Sequence, residues 1–173
     1  MKKLLLPALL SALLAACGGT GGSQQSGAAV DDRSASSGVA TVNASNVSGA
    51  GIAALTDPNN ILSKRGIYFD FDSFVIRADA QDLIRAHAGF LAQNPQIKML
   101  VQGNADERGS REYNLALGQK RAEAVKQALV LMGAREAQIE SVSLGEEKPR
   151  CAESSETCFA ENRRGDMLYT GEF

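Results

Sequence analysis

Tryptophan is absent from this 173-residue chain, and aromatic residues make up only 5% of it. A platform of rings for stacking bases or sugars is therefore missing. Histidine occurs once, as His87, spaced among Leu83, Ile84 and Leu91 as on the apolar face of a helix. That spacing reads as a structural histidine, and with no second one a Ser-His or Cys-His nucleophile is excluded. No glycine-rich phosphate loop is present. Charge of one sign is not in excess: the formal net charge is −2 with 22% charged residues, so no nucleic-acid or other polyanion partner is indicated. Beyond the first residues no apolar run approaches the ~18 that would span a bilayer. Cysteine is scarce and odd in number, with three.

The N-terminus accounts for one cysteine. Met1-Lys2-Lys3 is a short positive start, and Leu4 to Ala16 is an apolar run too short for a stable membrane anchor. It ends in Leu14-Ala15-Ala16-Cys17, which resembles the lipobox of bacterial lipoproteins. The resemblance implies that residues 1–16 are a signal peptide and that Cys17 is acylated and becomes the new N-terminus. A lipid-anchored protein, tethered to the membrane and not spanning it, is the expectation. From Gly18 to about Thr56 the chain is rich in Gly, Ser, Ala, Thr, Asn and Gln and poor in large apolar residues. Such a segment reads as a disordered, flexible tether. Its typical end-to-end distance is roughly 35 Å, with a stretched reach beyond ~120 Å. The remaining cysteines, Cys151 and Cys158, could close a small loop. In an exported protein a disulfide is favoured over two free thiols, and a metal site lacks ligands.

The folded domain is expected over residues 57–173. Ile67, Phe69 and Phe71 alternate with Tyr68, Asp70 and Asp72, the period-two pattern of a strand with one apolar face. Residues 78–93 carry apolar side chains at three- and four-residue spacing, an amphipathic helix stopped by Asn94-Pro95. Ile97 to Gln102 reads as a strand buried on both faces. A helix is expected from about Asn114, as N-cap, to Met132, with Gly133 as its stop. Ile139 to Leu144 is a third strand. A loop with Pro149 and both cysteines follows, then a short helical turn is expected at 158–163. Asp166 to Thr170 is the last strand, with Gly165-Asp166 delaying its start. The fold class is α/β, an α+β sandwich: β-α-β-α-β-β, one mixed sheet covered by two helices on one face, after the tether.

Three charged clusters could carry function. Asp70-Phe71-Asp72 sets two acids on one strand face. They do not stand on either side of a substrate, so a hydrated strand end bordering a neighbouring site is favoured over a hydrolase pair. The second cluster is Gly103 to Asn114 (GNADERGSREYN) with the helix after it. Arg121 lies two turns beyond Asn114, on the side of Leu117, and Asp106 sits in a loop able to fold back over that face. Gly103 and Gly109 read as turn residues. One acid and one arginine placed so admit two readings: a clasp for a zwitterion, with the guanidinium on a carboxylate and the aspartate on an ammonium, or an internal salt bridge. The third cluster, Asn162-Arg163-Arg164, is a basic turn, an anion contact or a staple to the acidic loops.

These residues, taken together, resemble the outer-membrane-protein-A-like peptidoglycan-binding domains, and within them the peptidoglycan-associated lipoproteins of the Tol–Pal system. The resemblance covers about residues 66–170. It is carried by Tyr68 to Asp72, Asn94-Pro95, Gly103 to Gly109, Glu112 to Gly118, Lys120-Arg121-Ala122, Ser143-Leu144-Gly145, Glu147-Lys148-Pro149 and Asn162-Arg163-Arg164. It implies a non-enzymatic outer-membrane lipoprotein that needs no cofactor and keeps its domain in the periplasm. Such a protein would bind the meso-diaminopimelate of the peptidoglycan stem and hold membrane to wall, in envelope integrity and cell division. By motif, Asp106 and Arg121 would grip the ligand, and Asp70, Phe71, Asn114 and Leu117 would border the pocket. A periplasmic β-propeller partner, TolB, is implied on an overlapping face. The alternative is a wall-binding interaction module without Tol partners. Position 104 is Asn where this family usually has His.

Overall fold

The structure is a computed structural model that describes residues 49–172, with side chains described from residue 53 onward. The leader at 1–16, Cys17 and the tether as far as residue 48 lie outside the described residues. The tether reading does not extend to Thr56: Gly49–Thr56 form a helix, α1. Leu55 explains why, since it is buried in the core and its carbonyl accepts from Arg65 Nη2 at 3.0 Å.

The remaining elements are β1 (Gly66–Tyr68), α2 (Gln81–Gln93), β2 (Met99–Asn104), α3 (Arg111–Leu131), β3 (Ile139–Gly145), α4 (Glu156–Asn162) and β4 (Arg164–Tyr169). The four strands make one mixed sheet in the order β1-β4-β2-β3. β2 and β3 are parallel, and β4 runs antiparallel between β1 and β2. A parallel pair needs a long crossover, which α3 supplies. α2 and α3 lie on one face of the sheet. There Ile84, Ala88, Leu91, Ala122, Val125 and Leu129 pack with Met99, Val101 and Met167 into a single apolar cluster. Leu100 and Gln102 point to the other face and stay half-buried, so β2 is not buried on both faces as its apolar run suggests.

Other boundaries differ from the pattern reading for local reasons. The β1 alternation breaks after Phe69, because Asp72 takes a left-handed backbone (φ 52°) and turns the chain. Phe71 therefore stays 59% exposed instead of joining the apolar face. α3 starts at Arg111, capped by Ser110, whose Oγ accepts from Tyr113 N. Asn114 is thus not the cap; it lies in the first turn. β4 begins at Arg164, not after Gly165-Asp166: Gly165 pairs with both Ile67 and Gly103 in the middle of the sheet.

The sheet and α3 approach closely through Gly103 and Gly118. A Cβ placed on Gly103 would lie 1.8 Å from the Gly118 carbonyl oxygen. Gly103 is therefore a contact residue and not a turn residue, whereas Gly109 (φ +112°) does turn the chain.

His87 is buried and structural. Its Nε2 lies 2.8 Å from the Lys64 carbonyl, which can only accept, so the proton sits on Nε2. Nδ1 then accepts from the Tyr169 hydroxyl at 2.7 Å. Burial pulls its pKa from 6.5 down to about 4. Because the folded value lies below the unfolded one, the buried neutral ring costs the fold nothing above pH 6.5, and stability is lost as pH falls from 6.5 through 4, where the unfolded chain binds the proton first. The expected loss is about 3 kcal/mol. As the sole histidine, its ring protons are unambiguous in an NMR titration. A midpoint near 4 is expected, and one near 6.5 would rule this account out.

Candidate ligand-binding site

The loop from Ala105 to Ser110 folds back over the start of α3 and meets the turn at 70–73 and the end of α4. Together they line a partly open cavity of about 190 Å³. Of the residues singled out from sequence, Phe71, Asp106, Asn114, Leu117 and Arg121 all line it. Asp70 does not. Its side chain borders a neighbouring cleft of about 490 Å³, and only its backbone carbonyl reaches the site.

Arg121 forms the floor. It is 0% exposed, the largest side chain so buried. Its guanidinium donates to three backbone carbonyls: Nε to Ser73 at 2.8 Å, Nη1 to Asn104 at 2.8 Å and Nη2 to Asp70 at 3.2 Å. The left-handed turn at Asp72 presents two of these carbonyls, so the break in the β1 pattern and the seating of Arg121 share one cause. Among the ion pairs of the described residues none includes Arg121; the internal bridge to Asp106 is not formed. Burial lowers its pKa to about 10, and the charges of Asp106 and Asp72 oppose that shift. At neutral pH Arg121 is thus a buried cation that no carboxylate among the described residues contacts directly, although Asp106 and Asp72 line the same cavity.

Asp106 pairs elsewhere. Its Oδ2 accepts from Arg108 Nη2 at 2.7 Å and from Arg163 Nη1 at 3.2 Å, and its Oδ1 from the Arg108 backbone N at 3.2 Å. Burial pushes its carboxyl up, but these hydrogen bonds prevail and hold it below the usual value. Arg163 also donates to the Phe69 carbonyl and to Glu156. Of the readings open for the 162–164 cluster, the staple is the one formed. That staple is made by Arg163; Asn162 bonds instead to the Cys151 backbone, and Arg164 to Asp166 within β4. Asn114 turns its amide to the Glu146 carboxylate. Asn104 is buried; its Nδ2 donates to Gln102 O, and its backbone carbonyl carries Arg121.

Two lining residues, Arg108 and Tyr113, were not assigned from sequence. Arg108 lies between the rings of Phe71 and Phe159, 4.2 and 4.5 Å from their centroids. Tyr113 bonds its hydroxyl to the Asp72 carboxylate, closing the rim. Arg108 and Tyr113 stand in the charged loop and the turn after it, but nothing local marks their partners.

A model of the OmpA family matches residues 68–163. A peptidoglycan-associated lipoprotein of Pasteurella multocida is 45% identical over 103 residues, covering 60% of this chain and 69% of that one. A protein of the same name from Pseudomonas putida is 37% identical over 160 residues, covering 92% of each chain. In several further relatives the match spans 62% of the relative's length. The crystal structure of the peptidoglycan-associated lipoprotein from Burkholderia pseudomallei superposes with a TM-score of 0.66 at 54% identity, over 67% of this chain and 98% of that one.

Proposed function

The chain belongs to the OmpA family, and we propose that it is a lipoprotein that binds peptidoglycan non-covalently and catalyses nothing. The ligand group is the diaminopimelate of the stem peptide, whose free ammonium and carboxylate share one carbon. The observation that carries this reading is Arg121: a buried guanidinium, fixed by three carbonyls, beside a cavity and without an acidic partner. A buried unpaired charge is costly, and a ligand carboxylate would relieve it. Asp106, on the same cavity, supplies the acceptor for the ammonium. The cavity is smaller than the usual ~300 Å³ or more of a small-molecule site, which suits one amino-acid head and not a glycan strand.

On this reading Cys17 carries the lipid, the tether spans to the wall, and outer membrane and wall are held together in envelope integrity and cell division. A tethered domain facing a polymer gains by effective concentration, so modest affinity per stem suffices. Phe71 lines the cavity and is exposed, and Phe74 and Val75, shortly after it in the chain, are exposed too. They offer an apolar border to a protein partner whose footprint overlaps the site, the role assigned to a TolB-like β-propeller of the Tol–Pal system. Pull-down with purified TolB, with and without a diaminopimelate muropeptide, is expected to show competition. Capture unaffected by saturating muropeptide would refute the overlap.

Asp106→Asn tests the clasp. It keeps the shape but removes the charge, and should weaken co-sedimentation with purified peptidoglycan at least tenfold, in line with ~2 kcal/mol or more for a buried charge contact. Wild-type retention on the wall would defeat the reading.

A further inference from the structure

We propose that the Cys151–Cys158 disulfide is a positioning element of the binding site, holding Arg108 and Arg163 on Asp106. The consequence for affinity rests on the peptidoglycan reading above. α4 has seven residues, well short of the ~12–15 needed for a helix to be even marginal alone. It is clamped twice to one place. The disulfide joins Cys158, in its first turn, to Cys151. At its other end, Asn162 Oδ1 accepts from Arg150 N at 2.8 Å and Cys151 N at 3.1 Å, while Nδ2 donates to Cys151 O at 2.7 Å.

Two side chains of α4 reach the site: Glu156, two residues ahead of the disulfide clamp, and Phe159, between the two clamps. Glu156 Oε1 accepts from Arg163 Nη2 at 2.9 Å, and its Oε2 faces Arg108 Nη1 at 3.2 Å. Phe159 packs under the Arg108 guanidinium. Arg108 and Arg163 are the two cations that hold Asp106. A continuous run of contacts therefore leads from the disulfide to the proposed ammonium acceptor. The apolar cluster under the sheet contains neither cysteine, so site and core are separable.

Reduction would act at one end of this run. A dithiol gives two electrons and two protons to the S–S bond, forming two thiols while it closes to its own disulfide. Cys151 is half-exposed whereas Cys158 is buried, which makes Cys151 the sulfur open to attack. The first turn of α4 then keeps its Ser155 cap, the bond from Phe159 N to the Ser155 carbonyl and the Glu156 ion pairs, but loses the covalent tie that fixes where Glu156 and Phe159 stand. The Asn162 clamp still holds the last turn.

The test uses the mature chain in three forms: oxidised, reduced with dithiothreitol, and Cys151→Ser/Cys158→Ser. NMR reads the Arg108 side-chain resonances, which two flanking rings shift strongly. Calorimetry reads the affinity for a soluble diaminopimelate muropeptide. Reduction should collapse the Arg108 shifts, leave the Val101 and Val125 methyl signals in place, and weaken binding about tenfold. Reoxidation should restore both. Glu156→Gln should weaken the oxidised protein similarly and add little once the disulfide is open, since the two act in series. Unchanged Arg108 resonances on reduction would overturn the proposal. If the oxidised protein binds no muropeptide, the peptidoglycan reading falls, while the Arg108 signals still decide the role of the disulfide.

Discussion

Arg121→Lys is expected to abolish co-sedimentation with purified peptidoglycan and to leave a folded but weakened domain. The substitution keeps the charge, so any effect isolates the fork. Three carbonyls, from Ser73, Asn104 and Asp70, surround the planar guanidinium. A lysine ammonium is a point donor on a flexible stem and cannot satisfy three fixed acceptors while presenting a flat edge to a carboxylate. Truncating one partner of a buried charged contact costs about 2–5 kcal/mol, which corresponds to a loss of at least ~30-fold in affinity. Stability should fall as well, because each carbonyl left without a donor costs about 1–3 kcal/mol. Denaturant unfolding measures the second effect and sedimentation the first. The sharper comparison is with Asp106→Asn, which leaves the Arg121 carbonyl bonds untouched. Equal wall binding by wild type and Arg121→Lys would show that this arginine is a structural tie between the 70–73 turn, β2 and α3 and not the seat of a ligand carboxylate.

The order of strands and helices was legible in the sequence because burial on one face imposes a period, and the period survives in the residues. Ile84, His87 and Leu91 fall on the buried side of α2 as their spacing requires. What the period could not place were the ends. Ser110 and Asn114 are both good caps, and only the loop's need to fold back over the helix selects Ser110 and frees Asn114 for Glu146. Phe71 illustrates the same limit. Alternation puts it inside, but one left-handed residue after it turns the chain, exposes the ring and points two carbonyls at Arg121. The charged loop and the helix face could be recognised as one site, since a loop and the helix it enters are neighbours in sequence and in space. The pairing within the site was not legible. Asp106 is held by Arg108 and Arg163, and Arg108 by Phe159 and Glu156, partners that only the packing of α4 against the loop brings together. Asn104 occupies a place where the resembled family usually has His. Its backbone carbonyl, the group that carries Arg121, is available from any residue at that position.

Gly103→Ala is expected to have the largest effect on stability of any single-methyl addition in the domain. The added Cβ would stand 1.8 Å from the Gly118 carbonyl oxygen and 3.1 Å from Ala122 N. Both are backbone atoms of α3, so no side chain can rotate out of the way; the helix and β2 must move apart. That separation reaches Val101 and Val125 in the core and Arg121, which is held from β2 by the Asn104 carbonyl. Overpacking of a tight site costs typically 1–3 kcal/mol, and contact at this distance with rigid backbone puts the expected loss at or above ~3 kcal/mol. For a domain of this size that is a large fraction of the ~5–15 kcal/mol available. Gly118→Ala should be milder, because the nearest obstacle to its Cβ is the Ser143 hydroxyl, which can turn aside, although the Gly103 carbonyl remains at 2.7 Å. Gly89→Ala, on α2, gives the opposite sign. Nothing lies within 4 Å of its Cβ, so the change should stabilise by about 0.5–1 kcal/mol through helix propensity and the entropy of the unfolded chain. Thermal and denaturant unfolding of the three alanine variants should therefore rank Gly89→Ala above wild type, Gly118→Ala below it and Gly103→Ala lowest. If Gly103→Ala unfolds like wild type, the close approach of β2 and α3 on which the placement of Arg121 depends is wrong.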